Sequence, residues 1–194
     1  SYIVALTSCL LIASLPFMYK TFFYKYLAGI KSANFIIIGV FFISLATITG
    51  NFLVAVNKQR VIILAQAIGI ILMLTGNYFV IKFTNNITGV AVVTAFLFSL
   101  YSIFIISCAF RYVGDGYLEI FKSIFRLFLP FILGGVIIIL LKLLFNILNY
   151  SEFIMAFISA LVITLIFAAL FQAQYKGIFT TIKTLLNKKS EIVL

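Results

Sequence analysis

The sequence has no histidine, two cysteines, two prolines and four carboxylate side chains in 194 residues. Each shortage closes a class of chemistry. Without histidine the commonest general base and zinc ligand is missing. Cys9 and Cys108 lie far apart inside apolar runs with no metal-ligand spacing, so they read as small apolar side chains. The acids are Asp115, Glu119, Glu152 and Glu191, all in loops or tails. No carboxylates are paired for glycoside hydrolysis, none cluster for metal-assisted phosphoryl transfer, and there is no glycine-rich phosphate loop. No catalytic residue, metal or cofactor is expected, and the chain does not read as an enzyme. Ion coupling through a buried carboxylate would need a carboxylate from elsewhere, or neutral oxygens.

Charge of either sign is scarce too. Only 9% of the residues are charged and 65% are hydrophobic. Soluble domains average about 25% and about 45–50%. The stretches 1–19, 32–57, 61–81, 83–110 and 153–175 contain no Asp, Glu, Lys or Arg. Each approaches or exceeds the roughly 20 residues a helix needs to cross a bilayer. A further run near 124–148 is interrupted by Lys142. The fold class is therefore an all-α integral membrane protein with six transmembrane helices, at about 1–19, 34–56, 61–83, 88–112, 124–148 and 153–175. Residues 1–175 make one bundle and 176–194 a basic tail. A β-barrel would alternate apolar and polar residues, which these runs do not. The chain starts at Ser1, directly in an apolar run with no initiator Met or signal-peptide n-region, so a longer protein with an N-terminal part missing is expected.

What charge there is sits at the ends of the runs. The net charge is +10, from fourteen basic residues. With no basic helix or aromatic-basic repeat outside the spans, these residues read as topology signals and lipid-headgroup contacts, and no nucleic-acid partner is expected. With the tail in the cytoplasm, that side holds Lys58, Arg60, Arg111, Lys122, Arg126, Lys176, Lys183, Lys188 and Lys189. The other side holds Lys20, Lys25, Lys31, Lys82 and, more loosely, Lys142. The positive-inside rule favours this orientation. It makes "NKQR" (57–60) a cytoplasmic turn and "TNNITG" (84–89) an external one.

In "YLEIFKSIFRLFL" (117–129), Glu119, Lys122 and Arg126 share one helical face. This is either an amphipathic segment at the cytoplasmic interface or a long basic end of the fifth span. Pro130 would kink the chain where it enters the bilayer.

Polar residues within the spans are the site candidates: Lys142, Arg126, Asn77, Gln66 and Asn51. Lys142 either snorkels to the headgroups or faces a hydrated cavity that takes an anionic substrate. Gln66, Thr75 and Asn77 on the third span either hold helices together or line a polar pathway. Ala65 with Gly69, and Ala156 with Ala160, have small-xxx-small spacing for close helix contact. Thr94, Ser99, Tyr101 and Ser102 are assigned no site.

Residues 50–112, "GNFLVAVNKQRVIILAQAIGIILMLTGNYFVIKFTNNITGVAVVTAFLFSLYSIFIISCAFRY", resemble the C-terminal part of polysaccharide-biosynthesis flippases. These belong to the multidrug/oligosaccharidyl-lipid/polysaccharide exporter superfamily. Asn51, the turn from Asn57 to Arg60, Asn77 and Thr88-Gly89-Val90-Ala91 fall where that family has a small-residue span end, a basic turn, a second span end and a Gly-Ala-rich span start. "KYLAGIKSANFIII" (25–38) resembles the family's outer loop. The likeness covers about 1–112, and 113–194 by hydropathy alone. It implies the last six of twelve to fourteen helices in a two-lobed transporter of the bacterial inner membrane. The implied task is moving an undecaprenyl-pyrophosphate-linked oligosaccharide, an O-antigen or capsule unit, across that membrane by alternating access. The implied partners are the lipid-linked oligosaccharide, membrane lipids, the N-terminal half of the same chain and other glycan-assembly membrane proteins. A small-molecule or drug exporter of the same superfamily, a membrane enzyme of glycan assembly and a purely structural membrane subunit are the competing readings.

Overall fold

A computed structural model of the chain describes residues 1–84, 86–114, 116–148 and 153–172. The expected tail at 176–194, with its four lysines, lies outside the described residues. The protein is an all-α multi-pass membrane protein: six helices are each long and apolar enough to cross a bilayer. They are α1 (Tyr2–Phe22), α2 (Ile30–Ala55), α3 (Gln59–Thr84), α4 (Ile87–Val113), α5 (Tyr117–Leu148) and α6 (Phe153–Gln172). No strand occurs among the described residues.

Local chemistry sets the helix ends. α2 stops where Asn57 takes φ 58°. There the Lys58 N–H donates to the Leu53 carbonyl at 2.8 Å and the Asn57 N–H to Val54 at 3.0 Å. This pair of bonds is a Schellman closure, with asparagine in the left-handed position that usually takes glycine. The basic turn is therefore a helix stop as well as a topology signal. α4 starts at the Asn86 cap, whose Oδ1 accepts from the Thr88 N–H at 2.9 Å. It ends at Gly114 with φ 98°. Between α1 and α2, the segment left between the first two expected spans is mostly helical. A short 3-10 turn spans Tyr24–Gly29, and α2 begins at Ile30, so Lys31 to Asn34 lie within it. Phe22, Tyr24 and Tyr26 are exposed there, as expected of an aromatic belt at headgroup level. The stretch 117–129 is continuous with the fifth span, and α5 runs unbroken through the buried Pro130. Proline has no N–H, so the Arg126 carbonyl loses its helical partner.

Two apolar clusters hold the bundle. In the larger, Ala5 and Cys9 of α1, Phe41 and Leu45 of α2, Ile106 of α4, Ile138 of α5, and Ile163 and Phe167 of α6 meet. Aromatic rings tie α2 to α5: Phe41 stacks on Phe131 with centroids 4.1 Å apart, and Phe42 meets Phe128 edge-on at 5.1 Å. In the smaller, Ala46 and Leu53 of α2 pack with Ile105 and Ala109 of α4, against Ile62 and Ala65 of α3. α2 and α4 share the most extensive interface. Glycine lets them close: a Cβ on Gly39 would lie 3.1 Å from the Ala95 Cα. At the end opposite the Asn57 turn, the Ser32 and Thr88 hydroxyls lie 3.1 Å apart across the two helices. α3 sits at the edge of the bundle, packed on α4 and lightly on α2, with no buried residue.

Candidate functional site

The position of α3 creates the site. Near the Ser32–Thr88 end, α3 and α4 touch closely. A Cβ on Gly76 would lie 3.0 Å from Val93 Cγ1, and one on Gly89 would lie 2.7 Å from Val80 Cγ1. Toward the Asn57 turn, Ile62 and Ala65 pack on Ile105 and Ala109. Between these contacts lies Gly69, and a Cβ there would meet no atom within 4 Å. A missing side chain at the edge of a bundle leaves a gap, and here the gap is a cleft of about 320 Å³ between α2, α3 and α4.

The cleft is apolar with three polar side chains. Thr47 of α2, Gln66 of α3 and Tyr101 of α4 line it together with Met73 and Phe98. The Thr47 hydroxyl donates to the Ile43 carbonyl at 2.9 Å, which leaves its oxygen able to accept. Gln66 is exposed and has no hydrogen bond to a described residue. A second gap, of about 480 Å³, lies on the other side of Gly69 and shares Gly69, Leu97 and Tyr101 with the first; its remaining lining is apolar. Tyr101 therefore offers an aromatic face and a hydroxyl where the two gaps meet. Asn77 continues the stripe of Gln66, because eleven residues at about 100° each close three turns to within about 20°. Its Oδ1 is shut off from solvent with no hydrogen-bond partner.

The five residues singled out from sequence do not converge on one place. Gln66 lines the cleft, Asn77 extends its stripe, and Asn51 is exposed one turn beyond Thr47. Arg126 and Lys142 are on α5, which packs on α1 and α4 and lines neither gap. Lys142 is half-buried, beside the core residues Ile138 and Phe145 of its own helix, and has no hydrogen bond or ion pair with a described residue. Arg126 is exposed near the Asn57-turn end.

Thr47, Tyr101 and Gly69 were missed as site residues. A single hydroxyl inside an apolar run carries no signal, since hydroxyls bond their own backbone at little cost. Gly69 was read as a helix contact from its spacing to Ala65, whereas the close approaches fall at Gly39, Gly76, Gly89 and Gly134. No group of three or more metal-ligating side chains occurs among the described residues.

The chain matches no family model, no curated protein and no solved structure.

Proposed function

We propose that the protein is part of a flippase that carries an undecaprenyl-pyrophosphate-linked oligosaccharide across the bacterial inner membrane, with its C-terminus in the cytoplasm. The observation that carries the reading is the character of the cleft. At membrane depth it offers an amide, a threonine hydroxyl and a tyrosine. These are neutral donors and acceptors beside an aromatic ring, on walls otherwise apolar. Sugar hydroxyls crossing a hydrocarbon layer need such partners, because an unsatisfied polar group there costs several kcal/mol. The described apolar spans place no carboxylate in the cleft to hold a cationic drug. Lys142 supplies a half-buried cation on α5, suited to phosphate oxygens. The likeness of residues 50–112 to polysaccharide flippases supports the same cargo.

The test is made in the host with the full-length gene. Deletion should remove surface glycan and pile up lipid-linked intermediate in the cytoplasmic leaflet, and the wild-type gene should restore both. Gln66→Leu at equal membrane abundance should slow transfer about two- to tenfold, the size of one neutral hydrogen bond. Surface glycan unchanged by the deletion would refute the flippase reading and bring the exporter reading forward.

A further inference from the structure

The three helices that wall the cleft carry no charge through the apolar layer. α2 has none after Lys31, α3 none between Arg60 and Lys82, and α4 none before Arg111. The polarity they offer is neutral: Thr47 and Asn51 on α2, Gln66 and Asn77 on α3, Tyr101 on α4. Among the described residues no charged side chain lines either gap. Lys142 and Arg126 are on α5, which contributes to neither. The partners in the cleft suit a sugar hydroxyl. The Gln66 amide donates and accepts, the Tyr101 hydroxyl does both, and the Thr47 hydroxyl, already donating to Ile43, accepts. The same partners do not compensate the dehydration of a carboxylate. In a low-dielectric site that group needs a paired cation, or gives up its charge by taking a proton. The volume of about 320 Å³ lies at the low end of ligand sites, which run about 300–1,000 Å³. The cleft therefore takes an oligosaccharide one part at a time.

We infer that the cleft passes neutral sugars (hexoses, deoxyhexoses and N-acetylhexosamines) and rejects sugars that carry a carboxylate, the hexuronates among them. The inference rests on the flippase reading and narrows its cargo. A neutral ring exchanges water for Thr47, Gln66 and Tyr101 and lays its apolar face against Tyr101 and Phe98. A uronate ring is nearly the same size and keeps most of the hydroxyls, so shape does not separate the two. Charge does, because the uronate enters either ionised and unpaired or protonated. At pH 7 a carboxyl with the ordinary pKa of about 4 is protonated in about one molecule per thousand. Entry in that form sets the ceiling on discrimination at about a thousandfold. The pyrophosphate is common to both cargoes and cancels from the comparison.

The experiment reconstitutes the purified full-length protein in proteoliposomes. Two synthetic polyprenyl-pyrophosphate disaccharides are supplied, identical except that the outer sugar is glucose in one and glucuronate in the other. Transfer is read with a membrane-impermeant pyrophosphatase, which cuts the group they share. The glucose cargo should cross at least about tenfold faster, since an unpaired buried charge costs more than an unpaired neutral group. Met73→Lys places a cation in the cleft on an unbranched side chain of similar length. It should narrow the ratio about tenfold or more, the effect of an opposite charge close to a carboxylate, whereas Met73→Leu should leave it unchanged. If Met73→Lys inserts poorly, Gln66→Lys, about two turns from the start of α3, carries the same test; the ratio of the two rates is the readout. Equal rates for the two cargoes in wild type would overturn the inference and leave the flippase reading in place. Transfer of neither would refute the flippase reading and this inference with it. A ratio unchanged by an inserted, active lysine variant would overturn the inference as well, because the discrimination would then lie outside the cleft.

Discussion

Gly134 should be the least replaceable of the described glycines. It faces α1 and α6 from the middle of α5, and a Cβ built there would overlap the Cys9 sulfur and lie 3.3 Å from Phe167 Cε2. Neither neighbour has room to withdraw: Cys9 is 0% exposed and Phe167 3%. Gly134→Ala gains up to about 1 kcal/mol of intrinsic helix propensity. Overpacking a closed core costs about 1–3 kcal/mol. With a rigid sulfur in the way the cost should lie in the upper half of that range, for a net loss of about 1–2 kcal/mol. Cys9→Ala alone leaves a sulfur-sized void and should cost about 1 kcal/mol. The double variant removes the overlap, so the two changes should be non-additive by about 1–3 kcal/mol in the stabilising direction. The assay is reversible SDS unfolding of the protein in mixed micelles, run for wild type, both single variants and the double. Gly69→Ala is the control, with no atom within 4 Å of its Cβ, and should be neutral or stabilising by up to about 1 kcal/mol. A Gly134→Ala protein as stable as wild type would refute the packing described here. So would a coupling within about 0.5 kcal/mol of zero.

Three further outcomes are expected. Ser32→Ala should destabilise the same protein by about 0.6 kcal/mol, the average for a hydrogen bond between membrane helices, and should cost nothing more in a Thr88→Ala background; unfolding in SDS measures both. Gly69→Phe should fill the cleft and abolish glycan transfer while leaving stability within about 0.5 kcal/mol, because the site is open; surface glycan measured against membrane abundance separates the two effects. In a background with Cys9 and Cys108 replaced, single cysteines at Lys58 and Asn86 should react with a membrane-impermeant maleimide from opposite sides of sealed vesicles. Asn86 should be labelled from the face away from the cytoplasm if the positive-inside orientation holds.

The helices were legible because the physics that makes them is one-dimensional. A charge-free run such as 61–81 must satisfy its backbone internally once in lipid, and α3 accordingly spans Gln59–Thr84. The ends of α2 and α5 were less legible. Lys31 to Ala33 fall outside the expected span, yet they lie in the first turns of α2, at headgroup depth where helix and charge are compatible. Residues 117–129 could have been a separate interfacial helix. Whether such a segment continues into the next span depends on what its apolar side meets. Here Ile120 is buried, and Ile124 and Phe128 pack on the core, so it continues.

The site was less legible because a cleft between helices depends on which faces meet. Gln66 and Asn77 are detectable as polar residues in an apolar run, and their shared stripe follows from the helical period alone. Thr47 and Tyr101 become site residues only when α2 and α4 turn those faces toward Gln66. Lys142 shows the converse. It is the strongest polar anomaly in the sequence, yet it lies on a helix that lines neither gap. If one cargo meets both places, its sugars and its phosphates must be held apart, on α2–α3–α4 and on α5. Lys142→Ala should then impair transfer of the pyrophosphate-linked substrate and spare binding of the free oligosaccharide, whereas Gln66→Leu should weaken both. Equal loss of free-oligosaccharide binding in the two variants would show that Lys142 acts on the fold of the bundle and not on the phosphate.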